Sequence, residues 1–119
     1  MTDKEKRRVL NALYSYNTYK SLSKNVAEGD GIAIYNDKGG TDYLTKRDLE
    51  RAVEIAEGTL TYFELQDEAK AQFVKKFFFE REGWISLTHE IGIAYGTVQN
   101  WRKEIIEIAS KIARRSGFI

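Results

Sequence analysis

Residues 83–101 constrain the fold of this chain most, because their pattern predicts two helices joined by a sharp turn at a glycine. Leu87 and Ile91 are four residues apart and therefore share one face of a short helix. Gly92 follows directly, and glycine readily adopts the left-handed backbone that such a turn requires. Ile93 then fills the gap before a second, longer helix. The apolar positions of that helix recur at helical spacing and are Val98, Trp101, Ile105, Ile108 and Ile112.

The opposite face of the second helix carries amides and cations. Its residues are Gly96, Gln99, Asn100 and Lys103, with Tyr95 and Arg102 at the edge. Glutamine and asparagine can pair with adenine through two hydrogen bonds, and arginine or lysine can bind guanine or phosphate. We therefore expect this helix to read double-stranded DNA in the major groove. The alternative, an ordinary helical hairpin with a solvated polar face, is disfavoured by the combined spacing of glycine and apolar residues.

The composition excludes several classes of protein. The chain has 119 residues, enough for one domain or for a small domain with an arm. It contains no cysteine, which rules out disulfides and thiolate metal sites and makes a cytoplasmic location the expected one. His89 is the only histidine, so we expect neither a metal nor a cofactor. No apolar run approaches the length that spans a bilayer, so we expect no membrane partner.

Charge is distributed unevenly although the formal net charge is only +1. In residues 102–115 five cations face two acids, Glu104 and Glu107. A local basic patch of this kind is sufficient for phosphate contacts. The cations are Arg102, Lys103, Lys111, Arg114 and Arg115.

Residues 2–20 form the first predicted helix, with Val9, Leu13 and Tyr16 on one face. Its basic start consists of Lys4, Lys6, Arg7 and Arg8. These cations either touch the DNA backbone as an arm or form a solvated face, and we prefer the second interpretation.

Residues 21–43 are the least regular part of the sequence. Residues 32–35 can form a short strand, followed by a turn over residues 36–41. The Gly39–Gly40 pair lacks the lysine and hydroxyl residue of a phosphate-binding loop, so we reject nucleotide binding. The spacing of the aspartates here does not match a calcium-binding loop.

Residues 45–65 form the second long predicted helix. Thr45 and Asp48 have the spacing of a capping box, in which a hydroxyl and a carboxylate satisfy the first amide groups. Gly58 lies inside the helix and predicts either a bend or close packing of another backbone. The apolar side consists of Leu49, Val53, Ala56, Leu60 and Phe63.

Residues 66–82 form the third predicted helix, whose buried stripe consists of Phe73, Val74, Phe77 and Phe78. Phe79 extends this run beyond one stripe. It either packs against the N-terminal helix or forms a partner-binding surface, and we favour the packing interpretation. Gly83 is expected to end the helix as a C-terminal cap.

These elements predict an all-α chain in two parts. The first part, residues 1–64, is helical with a long irregular loop over residues 21–44 that can hold a short β-hairpin. The second part, residues 65–119, holds the helix-turn-helix, with helices over 84–91 and 95–115.

The second part resembles region four of bacterial sigma factors, and still more the small phage transcription regulators of the RinA and ArpU families. The resemblance rests on residues 77–83 and 87–101 and covers residues 65–115. It implies a phage or prophage-encoded activator that binds promoter DNA and acts with host RNA polymerase. The scaffold positions that match are Leu87, Ile91, Gly92, Ile93, Val98 and Trp101. The positions that match DNA-facing residues are Thr97, Gln99, Asn100, Arg102 and Lys103.

Three residues depart from the pattern of those families. Thr88 stands where alanine is usual, which would widen the helix crossing slightly. Ala94 stands where a serine usually caps the second helix, so a cap worth about 1 kcal/mol is missing. Gly96 replaces a polar residue, and it either allows the backbone to approach DNA closely or is simply tolerated in a first turn.

Two other functions compete with a transcription regulator. One is the DNA-recognition subunit of a phage packaging machine, of the small terminase type, but that class carries its helix-turn-helix near the N-terminus. The other is a protein-interaction adaptor that uses the same fold without DNA. An enzyme is not expected, because the sequence offers no nucleophile–base pair, metal cluster or phosphate loop. The sequence leaves the oligomeric state open, including a homo-oligomer.

Overall fold

The computed structural model describes residues 1–35 and 39–119, and within them the chain is mostly helical with one small antiparallel sheet. Its elements, in order, are α1 Asp3–Tyr14, α2 Tyr16–Asn25, β1 Gly31–Tyr35, β2 Thr41–Thr45, α3 Lys46–Gln66, α4 Glu68–Phe73, the π segment Val74–Phe79, α5 Trp84–Glu90 and α6 Tyr95–Arg115. The predicted helical class and the short hairpin inside the loop are therefore confirmed.

The first predicted helix is divided into α1 and α2 at Ser15, and α2 continues into the stretch predicted to be irregular. A straight helix would place Leu13 and Tyr19 about 120° apart around its axis. Both side chains are nonetheless buried. The break at Ser15, where the backbone leaves helical geometry with φ −105° and ψ 18°, allows this, because α2 then packs along α3.

The hairpin pairs β1 with β2 in a register that runs from Gly31 opposite Thr45 to Tyr35 opposite Thr41. The strand predicted over residues 32–35 is confirmed, and β2 is the second strand of the predicted hairpin, whose bounds the sequence analysis did not give. Its threonine- and tyrosine-containing sequence, which suits a pleated strand, is the signal that could have found it. The turn predicted over residues 36–41 includes residues 36–38, which lie outside the described part of the chain.

Helix α3 begins as predicted. The Thr45 hydroxyl accepts a hydrogen bond from the Asp48 amide at 3.1 Å, and the Asp48 carboxylate accepts one from the Thr45 amide at 3.0 Å. The helix runs without interruption through Gly58. A methyl group built on Gly58 would lie 3.7 Å from the Ile112 side chain, which is ordinary contact. Gly58 therefore marks the packing of α6 on α3 through a side chain rather than a backbone approach.

The third predicted helix changes its winding halfway, because α4 passes into the π segment. The Glu80 amide bonds to the Lys75 carbonyl at 2.9 Å, five residues back, which is the spacing of a π-helix. This wider turn brings Phe78 and Phe79 both into the core. Phe79 stacks on Tyr16 with ring centroids 4.3 Å apart, so its predicted packing against the N-terminal helical part is confirmed.

The prediction that Gly83 caps this helix is wrong. Gly83 has an extended backbone, with φ −67° and ψ 149°, and serves instead as the N-cap of α5. The left-handed residue is Arg81, with φ 57°, a conformation that costs a non-glycine residue about 1–2 kcal/mol. The π segment explains the change, since it ends the regular helix at Phe79 and the Glu82 amide then reaches back to the Lys76 carbonyl at 2.9 Å.

One continuous apolar core joins both predicted parts of the chain. Buried side chains from the N-terminal helices, such as Val9 and Leu49, belong to the same cluster as Leu87 and Ile105. The basic start of α1 lies near the residues that follow α6, because the Arg8 guanidinium lies 4.3 Å from the centre of the Phe118 ring. Hydrogen bonds with Thr2 lower the pKa of Glu5 at the same end of α1. None of the described helices is long and apolar enough to cross a membrane.

Candidate nucleic-acid interface

Two separate helices flank a turn at Gly92, as the sequence predicts. α5 ends at Glu90, α6 begins at Tyr95, and Gly92 between them has φ +75°. A Cβ atom at Gly92 would meet no described atom within 4 Å. The turn therefore requires glycine for its backbone angle and not for lack of space.

Buried apolar side chains hold α5 and α6 against the rest of the protein. Leu87, Val98 and Ile105 are almost completely inaccessible to solvent. Trp101 is half-buried and meets Phe73 edge-on, with ring centroids 5.8 Å apart and an interplanar angle of 86°. This buried side orients α6 so that its opposite side points outward.

The outward side of α6 contains four of the predicted contact residues. Gly96, Gln99, Asn100 and Lys103, which we call the amide face, are all exposed and are spaced three or four residues apart. In the part of the chain that the structure describes, the side chains of Gln99, Asn100 and Lys103 have no hydrogen bond or ion pair. The amide face is thus a ridge of free donors, acceptors and one cation.

The structure places the other three predicted contact residues beside this face. Tyr95 is 51% exposed at the first position of α6. Thr97 is half-buried on the far edge. Arg102 is half-buried and donates a hydrogen bond from Nε to the hydroxyl of Tyr14 at 3.4 Å, so one side of its guanidinium is held by α1.

Sequence reasoning missed an exposed apolar group at the start of α5. Trp84 is 43% exposed and pairs with Tyr95, their ring centroids being 4.6 Å apart. Ile85 is 59% exposed. The sequence did indicate that Ile85 is exposed, because it stands two positions before the buried Leu87 and hence lies about 200° away from it around the helix.

Ion pairs neutralise both acids of α6. Glu104 pairs with Lys70 of α4 at 2.8 Å, and Glu107 pairs with Lys111 at 3.8 Å. Lys103 has no such partner among the described residues. The excess of cations that the sequence predicted for residues 102–115 is therefore increased by Lys70 alone, because Glu107 pairs with Lys111 of the same segment.

A further ion pair attaches α5 to the π segment. The Lys76 ammonium lies 2.9 Å from the Glu90 carboxylate, and this hydrogen-bonded contact raises the pKa of Lys76. The pair lies at the end of α5 and so helps to position the turn at Gly92. Its side chains are substantially exposed, so we assign it a positioning role and little stability.

The three residues that depart from the pattern of the RinA and ArpU families are accommodated locally. The Thr88 hydroxyl donates to the Ile85 carbonyl at 2.7 Å, which satisfies its polar atom within α5. Ala94 is the N-cap of α6 and has no side-chain cap from the described residues. Gly96 faces open space, since no described atom lies within 4 Å of a Cβ placed there.

Comparison of the chain with protein-family models, with curated proteins and with solved structures gives no significant match. The likeness of residues 65–115 to phage regulators consequently stays a prediction. Within residues 1–35 and 39–119, no cluster of three or more metal-binding side chains occurs. The chemistry that the described surface offers is hydrogen bonding and positive charge on an exposed helix.

Proposed function

We propose that this protein is a sequence-specific DNA-binding transcriptional regulator whose α6 enters the major groove. The observation that carries the proposal is the amide face, which is exposed and has no intramolecular partner among the described residues. A helix face that is merely exposed to solvent could equally consist of charged residues. Adjacent glutamine and asparagine, by contrast, offer the paired donors and acceptors that read base edges.

In the proposed complex, Gln99 and Asn100 read bases and Lys103 contacts phosphate or guanine. The uncapped start of α6 adds backbone amides that can bind a phosphate. The bond between Arg102 and Tyr14 uses only Nε, so the two terminal nitrogens of the guanidinium can contact DNA while α1 holds its orientation. Gly96 lets the backbone come close, and Tyr95 and Thr97 line the two edges.

The biological setting rests on the family resemblance. By that likeness the protein is a phage or prophage activator that acts in the cytoplasm at promoters, together with host RNA polymerase. The alternative, a packaging subunit of the small terminase type, predicts a ring-sized assembly in light scattering.

Fluorescence anisotropy with DNA fragments selected from a genomic library tests the proposal. Lys103→Ala is expected to weaken binding to all sequences and to reduce the slope of log affinity against log salt by about 1. Gln99→Ala is expected instead to relax preference at one base pair by roughly 1–3 kcal/mol. Lys24→Ala, which removes an exposed cation at the end of α2, is the matched control.

Three outcomes of this experiment are decisive. Different responses of the two α6 variants, with no response to Lys24→Ala, support the assigned face. Wild-type binding by both α6 variants would show that the face is wrongly assigned. Absence of any salt-dependent DNA affinity in the wild-type protein would favour the protein-interaction adaptor.

A further inference from the structure

A second surface is formed where α1 passes the end of the π segment, and it includes Tyr14, which accepts the hydrogen bond from Arg102. It is a groove with a volume of about 700 Å³. Its walls come from α1 on one side and from residues 77–82 on the other. Its lining includes three cations, three apolar or aromatic side chains and two acids. These are Lys6, Arg7 and Arg81, then Leu10, Tyr14 and Phe77, and finally Asp3 and Glu82.

The floor of the groove is apolar, and its rim carries three cations and two acids. Leu10, Tyr14 and Phe77 are half-buried, so apolar surface remains accessible between the two walls. The Arg81 guanidinium lies 5.7 Å from the centre of the Tyr14 ring. No ion pair engages Lys6, Arg7 or Arg81 in the described part of the chain. A ligand could therefore contact an apolar floor and three unpaired cations together.

Glu82 contributes a buried acceptor that lacks a donor. Its Oε2 atom is buried and has no hydrogen-bond partner among the described residues. Buried polar atoms are nearly always hydrogen-bonded, so this one requires a donor from water or from a ligand, and rotation of the half-buried Glu82 side chain would present it to the groove. The neighbouring backbone is unusual in two further ways, the π segment and the left-handed Arg81. Both features recur at functional sites.

We propose that this groove docks an acidic peptide segment of another protein, anchored by one apolar side chain. Such a segment supplies all that the groove lacks: an apolar side chain for the floor, carboxylates for the rim cations and a backbone N–H for Glu82. A DNA backbone fits less well, because it carries neither a donor for Glu82 nor an apolar side chain for the floor. The inference does not depend on the proposed DNA-binding function.

Binding of defined peptide pools to the full chain tests this inference. The probes are short fluorescein-labelled peptides of three kinds, measured by anisotropy at physiological ionic strength. The first kind carries aspartate and glutamate around a central leucine, the second replaces that leucine with serine, and the third replaces the acids with lysine. The groove is expected to bind the first kind only. Equal binding of the first two kinds, or no binding of the first, would overturn the proposal.

Two variants locate the binding in the groove. The double change Lys6→Glu and Arg7→Glu is expected to weaken peptide binding by about tenfold or more, because two attractive contacts become repulsive. Glu82→Gln is expected to weaken it by about tenfold, because an amide is a poorer acceptor than a carboxylate. Lys24→Glu is the control and should leave peptide binding unchanged, with thermal melts confirming that all variants fold.

The same variants distinguish a peptide site from a nucleic-acid surface. Peptide binding that survives the double change, or that falls equally with Lys24→Glu, would show that the groove is not the site. If the double change instead lowers DNA affinity and its salt dependence while peptides bind as before, the groove contacts the DNA backbone. A loss of peptide binding with DNA affinity intact is the expected result.

Discussion

The two longest helices, α3 and α6, have the same length of 21 residues but begin in opposite ways. α3 starts with the reciprocal Thr45–Asp48 capping box. The N-cap of α6 is Ala94, whose backbone angles are φ −78° and ψ 159°. They are nearly the same as those of Thr45, the N-cap of α3, which are −75° and 165°. Both N-cap residues therefore have the backbone angles of a capping residue, and the two helix starts differ only in the N-cap side chain.

The glycines of the two helices show the same contrast. A methyl group at Gly58 of α3 would touch Ile112, whereas one at Gly96 of α6 would touch nothing described. Gly58 of α3 thus lies against a neighbouring helix, while the first turn of α6 faces open space and lacks a stabilising cap. Natural proteins commonly exchange stability for function at binding sites.

The largest expected effect concerns the buried side of α6. Trp101→Ala removes the edge-on contact with Phe73 and should lower the free energy of unfolding by about 3 kcal/mol, the low end for a large aromatic because Trp101 is only half-buried. Chemical denaturation measures it, and Thr61→Ala on the exposed side of α3 is the control. A midpoint unchanged from wild type would mean that α6 is not held by this contact.

Removing the cap of α3 tests whether its closed start matters. Thr45→Ala deletes the hydroxyl that accepts from the Asp48 amide and should destabilise the protein by about 1 kcal/mol. DNA affinity should stay at the wild-type value, because α3 does not contribute to the amide face. Denaturant titration and anisotropy together check both expectations, and a fall in affinity at constant stability would contradict the division of roles.

The two helical glycines provide a matched pair. Gly58→Ala should stabilise the protein by about 0.8 kcal/mol, since alanine is the better helix former and the added methyl makes an ordinary contact. Gly96→Ala should also raise the melting temperature, but we expect it to weaken DNA binding because the methyl would stand between α6 and the duplex. If Gly96→Ala binds DNA as well as wild type, the glycine is merely tolerated there.

The smallest expected effect comes from restoring the missing cap of α6. Ala94→Ser should add about 0.5 kcal/mol of stability, because the backbone already has the angles of the capping residues Thr2 and Thr45. The new hydroxyl would accept from the Thr97 amide and so remove one free donor. Thermal melting measures the gain, and a decrease in melting temperature would show that Ala94 is constrained in another way.

Much of the fold could be predicted where local signals agree. The capping box at Thr45, the apolar spacing of α6 and the glycine at residue 92 are each complete within a few residues, and the structure confirms all three. The exposure of Gln99, Asn100 and Lys103 followed from the same spacing. That these residues bind DNA stays a prediction.

Other features could not be predicted because they depend on distant residues. Nothing near Arg102 in the sequence indicates that its guanidinium reaches Tyr14, 88 positions away. The helix ends at Phe79 rather than at Gly83 because Phe78 and Phe79 both find partners in the N-terminal helices, which draws the backbone into a π turn.

The sequence by itself determined which segments are helical, where α3 begins, and which side of α6 faces the core, because helix period and capping are properties of neighbouring residues. Only the tertiary structure decided the break at Ser15, the left-handed Arg81 and the groove beside Tyr14. These depend on which surfaces meet when the helices pack, and the free energy of that packing outweighs local backbone preferences.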